Sequence, residues 1–233
     1  MTTGWTFVPE RSGDGVRTYA LASWAAFDPF LDAVAFAESD GGRRQYIWRG
    51  QRRADWSLST SLDREFAARG LLVGTPRKVE LRASAHLERF KYAARGRRGA
   101  HALKIEHPVE WWALGQHYGL ATPLLDWTYS PFAAAYFAFE YSSGADATSH
   151  RALFALDRSA ILRRNAELED AESVEVGRMP TLDIVEMLSD DNPRLVSQGG
   201  LFTRGPIGQP VEQWVTQAFE GSDAPVLLRG EIP

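Results

Sequence analysis

Three short stretches gather the side chains that could do chemistry. Residues 48–51 read WRGQ, an arginine directly after the apolar Tyr46-Ile47-Trp48, where a buried strand emerges into polar sequence. A guanidinium fixed there can make a two-pronged contact with a phosphate or carboxylate, Gly50 would let a ligand approach the backbone, and Gln51 adds an amide. An internal carboxylate would satisfy Arg49 equally well, and Asp126 is the obvious candidate. Residues 115–131, GQHYGLATPLLDWTYSP, bring Gln116, His117, Tyr118, Thr122, Asp126, Trp127 and Thr128 to the edge of the apolar run FAAAYFAF. Polar groups so near a core are costly to bury unpaired, so they either pin a buried helix or line a pocket. Asp126 could accept hydrogen bonds from the first amides of that helix, where the dipole favours a carboxylate. With Ser130 it would then hold the helix, while Gln116, His117 and Thr122 face a cleft shared with Arg49. In the third stretch, RLVSQGGLFT, Gln198 precedes paired glycines, and its amide suits reading a ligand edge or tying a bulge.

The elements that must position these groups follow from periodicity and from Gly and Pro. Val16–Leu21 alternates as a strand, and residues 24–39 have the apolar spacing of an amphipathic helix with an early irregularity at Pro29 and a break at Gly41-Gly42. Residues 45–51 predict a buried strand, DWSLST a second short strand, and LDREFAARG a helix stopped by Gly70. A helix is predicted from Arg77 to about Ala94, then a basic loop over 94–104. Pro108 suits the first turn of the next helix and Gly119 its end. LATPLLDW is extended; Ser130 and Pro131 are N-cap and first residue of a helix to about 141, apolar on nearly every face and therefore expected to be central and buried. RALFALD is a strand, 158–192 helix plus loop, 193–203 a strand with a Gly-Gly bulge or turn, VEQWVTQAF a helix and APVLLRGEIP a last strand. Strands and helices intersperse without strict alternation, which predicts a single α+β domain over 1–233 with mixed, mostly antiparallel sheet around a central helix at about 130–141.

Composition excludes several kinds of function. There is no cysteine among the 233 residues, so disulfides, thiolate nucleophiles and Cys-based metal centres are out. The formal net charge is −4, which gives no overall attraction to nucleic acid. No apolar stretch approaches the roughly 18 residues of a membrane span, and no secretory leader is visible, so a soluble cytoplasmic protein is expected. The spacing of His101 and His107 suits no metal, and none is expected. Gly-rich phosphate loops and a nucleophile elbow are both missing. The run RGRRGAHALK reads as a solvated loop in preference to a phosphate contact.

Taken in order, WRGQ, WSLSTSLDRE, ALGQHYGLATPLLDWTYSPFAAAYFAFEY and RLVSQGGLFT resemble the FRG domain family, named for its (F/Y)RG motif, over about residues 15–232. The most specific segment is similar to the family's QHYG-(L)-PTRLLDWT-x-x-P pattern. Two departures stand out: Trp48 replaces the aromatic of the motif, and Ala121-Thr122-Pro123 replaces Pro-Thr-Arg, leaving Arg52, Arg53 or Arg194 to supply the missing cation. The chain also stops at EIP, where members commonly continue with a helix, which suggests a naturally short member. Members occur in bacterial and phage settings, which suggests a toxin or a phage-defence effector. Their order of elements is similar to ADP-ribosyltransferase folds, so the resemblance implies NAD as co-substrate and a transferase or NAD glycohydrolase. On that implication Arg49, Asp126 and Gln198 are the catalytic candidates. Arg49, Gly50, Gln51, Gln116, His117, Tyr118, Thr122, Trp127 and Thr128 would bind the dinucleotide. Tyr118, Trp127 or Tyr129 would stack on a base, and the acceptor would be water, a protein or a nucleic acid. The other reading is a non-catalytic module that binds a nucleotide or a protein. Oligomeric state is left open.

Overall fold

Alternation along Arg151–Asp157 organises the molecule, because every one of these seven residues is buried. A strand covered on both faces needs a layer of helices on each side. The computed structural model describes residues 4–36, 45–97, 105, 107–140, 150–170, 179–186 and 200–233. Within them lie β1 (Trp5–Phe7), β2 (Val16–Leu21), β3 (Tyr46–Gln51), β4 (Leu125–Thr128), β5 (Arg151–Asp157), β6 (Asp183–Glu186), β7 (Gly200–Arg204) and β8 (Leu227–Ile232). They form one sheet in the order β1-β2-β8-β5-β3-β4-β7-β6. All neighbours are antiparallel except β2 and β8, which run parallel. The helices are α1 (Phe27–Phe30), α2 (Ser61–Ala68), α3 (Pro76–Ala94), α4 (Pro108–His117), α5 (Pro131–Phe139), α6 (Arg158–Asp170) and α7 (Val211–Ala218). The result is the expected mixed, mostly antiparallel α+β architecture. None of the described helices is long and apolar enough to cross a membrane.

Odd and even residues of the central strands enter different cores. Ile47, Ala152, Phe154 and Leu156 pack with α6 and α7 around Trp214. Tyr46, Trp48, Leu153 and Ala155 pack with α1 and α5. A third core, between α2, α3 and α4, takes in Leu124 and Phe202 from the far side of the sheet.

Helix α5 starts as its sequence requires: Pro131 opens it and the Ser130 hydroxyl accepts from the Ala133 amide at 3.2 Å. Its small residues Ala134, Ala135 and Ala138 are buried against the sheet. Its burial is one-sided, however, since Phe132, Tyr136 and Phe137 are 41–61% exposed. The approach to β3 is extreme: a Cβ on Gly50 would sit 1.9 Å from the Ala134 carbonyl oxygen. Gly50 is therefore glycine because a helix backbone lies against it, not because a ligand does.

Three further expectations change. Residues 24–39 are broken into a 3₁₀ turn (Trp24–Ala26), α1 and a π-helical turn (Leu31–Ala35); 37–44, with Gly41-Gly42, lie outside the described residues. Pro29, lacking an N–H, is compatible with such irregularity. DWSLST is no strand, because its backbone groups are engaged elsewhere. The Ser57 carbonyl accepts from Gln51 Nε2 at 3.2 Å, and the Leu58 amide donates to both oxygens of Glu212 on α7, at 3.1 and 3.0 Å. The charged stretch 158–192 contains, besides α6, the strand β6 paired with β7.

Gly50→Ala should cost about 3 kcal/mol or more, because the clash is with backbone that no rotamer change relieves. Urea unfolding checks this, and an alanine variant of wild-type stability would contradict it. Burial raises the Glu212 carboxyl above the ordinary range despite the Leu58 amide and the Arg229 charge. A folded-state value above the unfolded one contributes stability at low pH that is lost as pH rises through the folded value. Glu212→Gln keeps an acceptor for Leu58 and removes that loss, so its stability relative to wild type should grow from roughly pH 4 to pH 7. A difference independent of pH would contradict the assignment.

Candidate functional site

Strand β3 touches β4 in register only at Trp48 opposite Thr128. Beyond that pair the Asp126 carbonyl is taken by a side chain: Arg49 Nη1 donates to it at 2.7 Å. The same guanidinium nitrogen lies 3.8 Å from Asp126 Oδ2. Gln116, on the last turn of α4, donates from Nε2 to Asp126 Oδ1 at 2.7 Å. Arg49, Gln116 and Asp126 thus meet at one open cleft of about 430 Å³. Its other walls are Ser61, Arg64 and Glu65 from α2, and Gly119, Leu120, Ala121, Leu124 and Leu125 from the segment between α4 and β4.

A chain of hydrogen bonds fixes the amide at its centre. The fully buried Thr122 hydroxyl donates to Gln116 Oε1, which turns the Gln116 NH₂ toward Asp126. Thr122 itself is clamped to α2. Its N–H donates to Ser61 Oγ at 2.9 Å, and its carbonyl accepts from the Leu62 amide at 3.1 Å and the Ser61 hydroxyl at 3.3 Å. Ala121 is held as well, its carbonyl accepting from His86 Nε2 at 3.0 Å, with the His86 ring stacked on Trp112. The carbonyl cannot donate, so the imidazole carries its proton on Nε2.

Two cations and two carboxylates line the cleft, and burial weighs most on Arg49. Burial lowers the Arg49 guanidinium from its ordinary value, the Asp126 charge opposes this, and the nearby Arg64 cation adds to it. Arg49 Nε is buried with no hydrogen-bond partner. Asp126 keeps 59% of its side chain exposed.

The remaining predicted residues are placed as follows. Gly50 packs under α5, and Gln51 is buried with its amide on the 55–60 loop. Trp127 is core: its indole N–H donates to Thr203 Oγ1 at 2.9 Å. Thr128 is buried and accepts from the Ser130 amide at 3.2 Å. His117 and Tyr118 are exposed at the end of α4, in edge contact with one another. Tyr129 donates to Glu186 at 2.5 Å, away from the cleft walls. Gln198 and Arg194 lie outside the described residues. The Asp126 carboxylate does not cap α5; Ser130 alone does.

Arg64 and Glu65 are cleft residues that sequence reasoning missed, since a charged pair on a short helix resembles any solvated face. Arg64 stands on α2, whose Ser61 and Leu62 are bonded directly to Thr122, in the segment where Ala-Thr-Pro replaces Pro-Thr-Arg. Arg53 is engaged by Asp55 at 2.7 Å, and Arg52 and Arg53 both lie over the Trp56 ring. Among the described residues no group of three or more His, Asp and Glu side chains is placed to hold a metal ion.

Thr122→Val keeps the shape and removes the hydroxyl, freeing the Gln116 amide to rotate. It should cost about 1 kcal/mol in urea unfolding, with Thr122→Ser restoring most of it. A valine variant as stable as wild type would remove Thr122 from this chain of bonds.

No curated protein and no solved structure matches the chain. A family model does: the FRG domain matches residues 44–147, a shorter span than the 15–232 of the motif comparison, leaving β1, β2 and β5–β8 of the same sheet outside it. Every residue lining the cleft falls within that span, so the cleft lies in the part of the chain that the FRG domain model matches.

Proposed function

We propose that the cleft binds the ribose-phosphate part of a nucleotide, and that the ligand is NAD, used for ADP-ribosyl transfer or NAD hydrolysis. The observation that carries this reading is the exposed Asp126 carboxylate, held between an amide and a guanidinium in an open cleft. Guanidinium groups suit phosphate. A carboxylate beside a fixed amide suits ribose hydroxyls and the positive charge that develops at C1′ when a glycosidic bond breaks. In that step the C1′–N bond to nicotinamide breaks with its electron pair leaving on nicotinamide. A nucleophile, either water or a side chain or base of a macromolecular acceptor, then bonds to C1′ and gives up its proton. Arg49 holds the phosphates, Asp126 faces the ribose, and Gln116 sets the orientation of Asp126. Tyr118, 71% exposed and next in the chain to the wall residue Gly119, is the ring available at the rim for a base. Depletion of NAD in the cell would suit a toxin or a phage-defence effector.

A second reading, nucleotide binding without turnover, is favoured by one feature. None of the described residues lining the cleft is aromatic, so no stacking floor lies beneath a nicotinamide ring.

Purified protein should deplete NAD or label proteins or nucleic acid of a bacterial extract with ADP-ribose. Arg49→Ala should abolish both that activity and ADP-ribose binding by calorimetry. Asp126→Asn should lower turnover by about 100-fold or more while binding persists. Binding without any NAD loss would select the second reading, and a wild type that neither binds nor consumes NAD would end both.

A further inference from the structure

We infer that Arg64 is a second anion-binding residue of the cleft, acting with Arg49 to select a pyrophosphate-bearing ligand over a monophosphate. The inference rests on the ribose-phosphate reading above and names the residue that would recognise the second phosphate within it.

Arg49 and Arg64 come from different elements, β3 and α2, and line the same cleft. Their surroundings divide the work between them. Arg49 is three-quarters buried and its Nη1 is committed to the Asp126 carbonyl. It is a fixed group, with its Nε orphaned. Arg64 is exposed, and only one edge is tied down, Nη1 donating to the Ser59 carbonyl at 2.7 Å. That single bond sets the direction of the side chain and leaves its other N–H groups for a ligand.

The carboxylates nearby do not neutralise Arg64. Glu65, its neighbour in the cleft wall, is paired with Arg69 at 3.0 Å, and Asp126 is held by Gln116 and Arg49. Two like charges facing one cavity repel, and Arg64 contributes to lowering the Arg49 value. Negative charge placed between them removes that repulsion. One phosphate on Arg49 alone leaves Arg64 unanswered; a pyrophosphate has oxygens on two phosphorus atoms and can engage both guanidiniums. The cleft has the volume for such a group with its ribose.

The position of Arg64 is not left to a loose helix. The N-terminus of α2 carries a reciprocal capping box between Thr60 and Asp63. Asp63 also accepts from the Gly208 amide at 2.7 Å, and Ser61 is clamped to Thr122. One turn of helix thus ties Arg64 to the same segment that orients Gln116 and Asp126.

Calorimetry with the full chain tests this, using ADP-ribose, AMP, inorganic pyrophosphate and inorganic phosphate against wild type, Arg64→Gln and Arg64→Lys. Arg64 is exposed, and thermal unfolding of the glutamine variant should match wild type. Wild type should prefer ADP-ribose to AMP, and pyrophosphate to phosphate, by about tenfold or more. Arg64→Gln should erase both preferences while AMP affinity stays within about twofold, and Arg64→Lys should restore part of them. A glutamine variant that keeps the wild-type preference overturns the inference and leaves the ribose-phosphate reading standing. If pyrophosphate binds through Arg64 but neither ADP-ribose nor AMP binds, the ribose-phosphate reading falls and the pyrophosphate site remains. If wild type binds none of the four probes, both fall.

Discussion

The contact between Gly50 and the backbone of Ala134 is the constraint on which the cleft depends. Strand β3 alternates its faces, so Arg49 and Gly50 point to opposite sides of the sheet. Gly50 lets α5 lie directly on the strand, and α5 begins only three residues after β4 ends. Where α5 is placed, β4 is placed, and with it Asp126. The adjacent Arg49 then reaches from β3 to that same residue. The Arg-Gly pair is thus two halves of one device: the glycine seats the helix that positions β4, and the arginine meets the residue that β4 delivers.

Around this frame the cleft is built from bonds that each join different parts of the chain. Ser61 of α2 holds Thr122, Thr122 orients Gln116 of α4, and Gln116 holds Asp126 of β4. Each link is a directional hydrogen bond with its donor and acceptor fixed by chemistry, so the amide has one satisfied orientation. Only the last group in the series, a carboxylate, is left largely open to solvent. The order runs from a fully buried hydroxyl to an exposed acid, so a rigid support ends in one accessible carboxylate.

Much of this was legible in the sequence, and the failures have physical causes. Ser130 and Pro131 announced the start of α5 because capping is a local interaction between neighbours in the chain. Gln116, Asp126 and Arg49 were legible as polar groups at the edges of apolar runs. What residue type alone did not show was the face. In Leu-Asp-Trp-Thr, alternation puts Trp127 with Leu125 in the core and Asp126 opposite, so an aromatic ring that looked available for stacking is structural. DWSLST alternates like a strand, yet its backbone partners are a glutamine, a glutamate and the start of α7, all distant in sequence or set by tertiary packing. Arg64 was hidden for the opposite reason, because nothing in an Arg-Glu pair on a helix tells which cavity the helix borders.

The Arg49–Asp126 pair can be weighed against an ordinary structural salt bridge. Such a bridge gains most from a short, two-pronged contact that satisfies both groups. Here the short bond goes to the backbone carbonyl, and the carboxylate stands off at 3.8 Å. Arg49 nevertheless bears the cost of desolvation, with Nε buried and unpartnered. What Arg49 does supply is a donor for the Asp126 carbonyl where β3 and β4 no longer pair, a bond that an apolar side chain could not make. The pair is therefore an imperfectly matched one: a partly buried cation beside an accessible carboxylate, with a second guanidinium lining the same cleft.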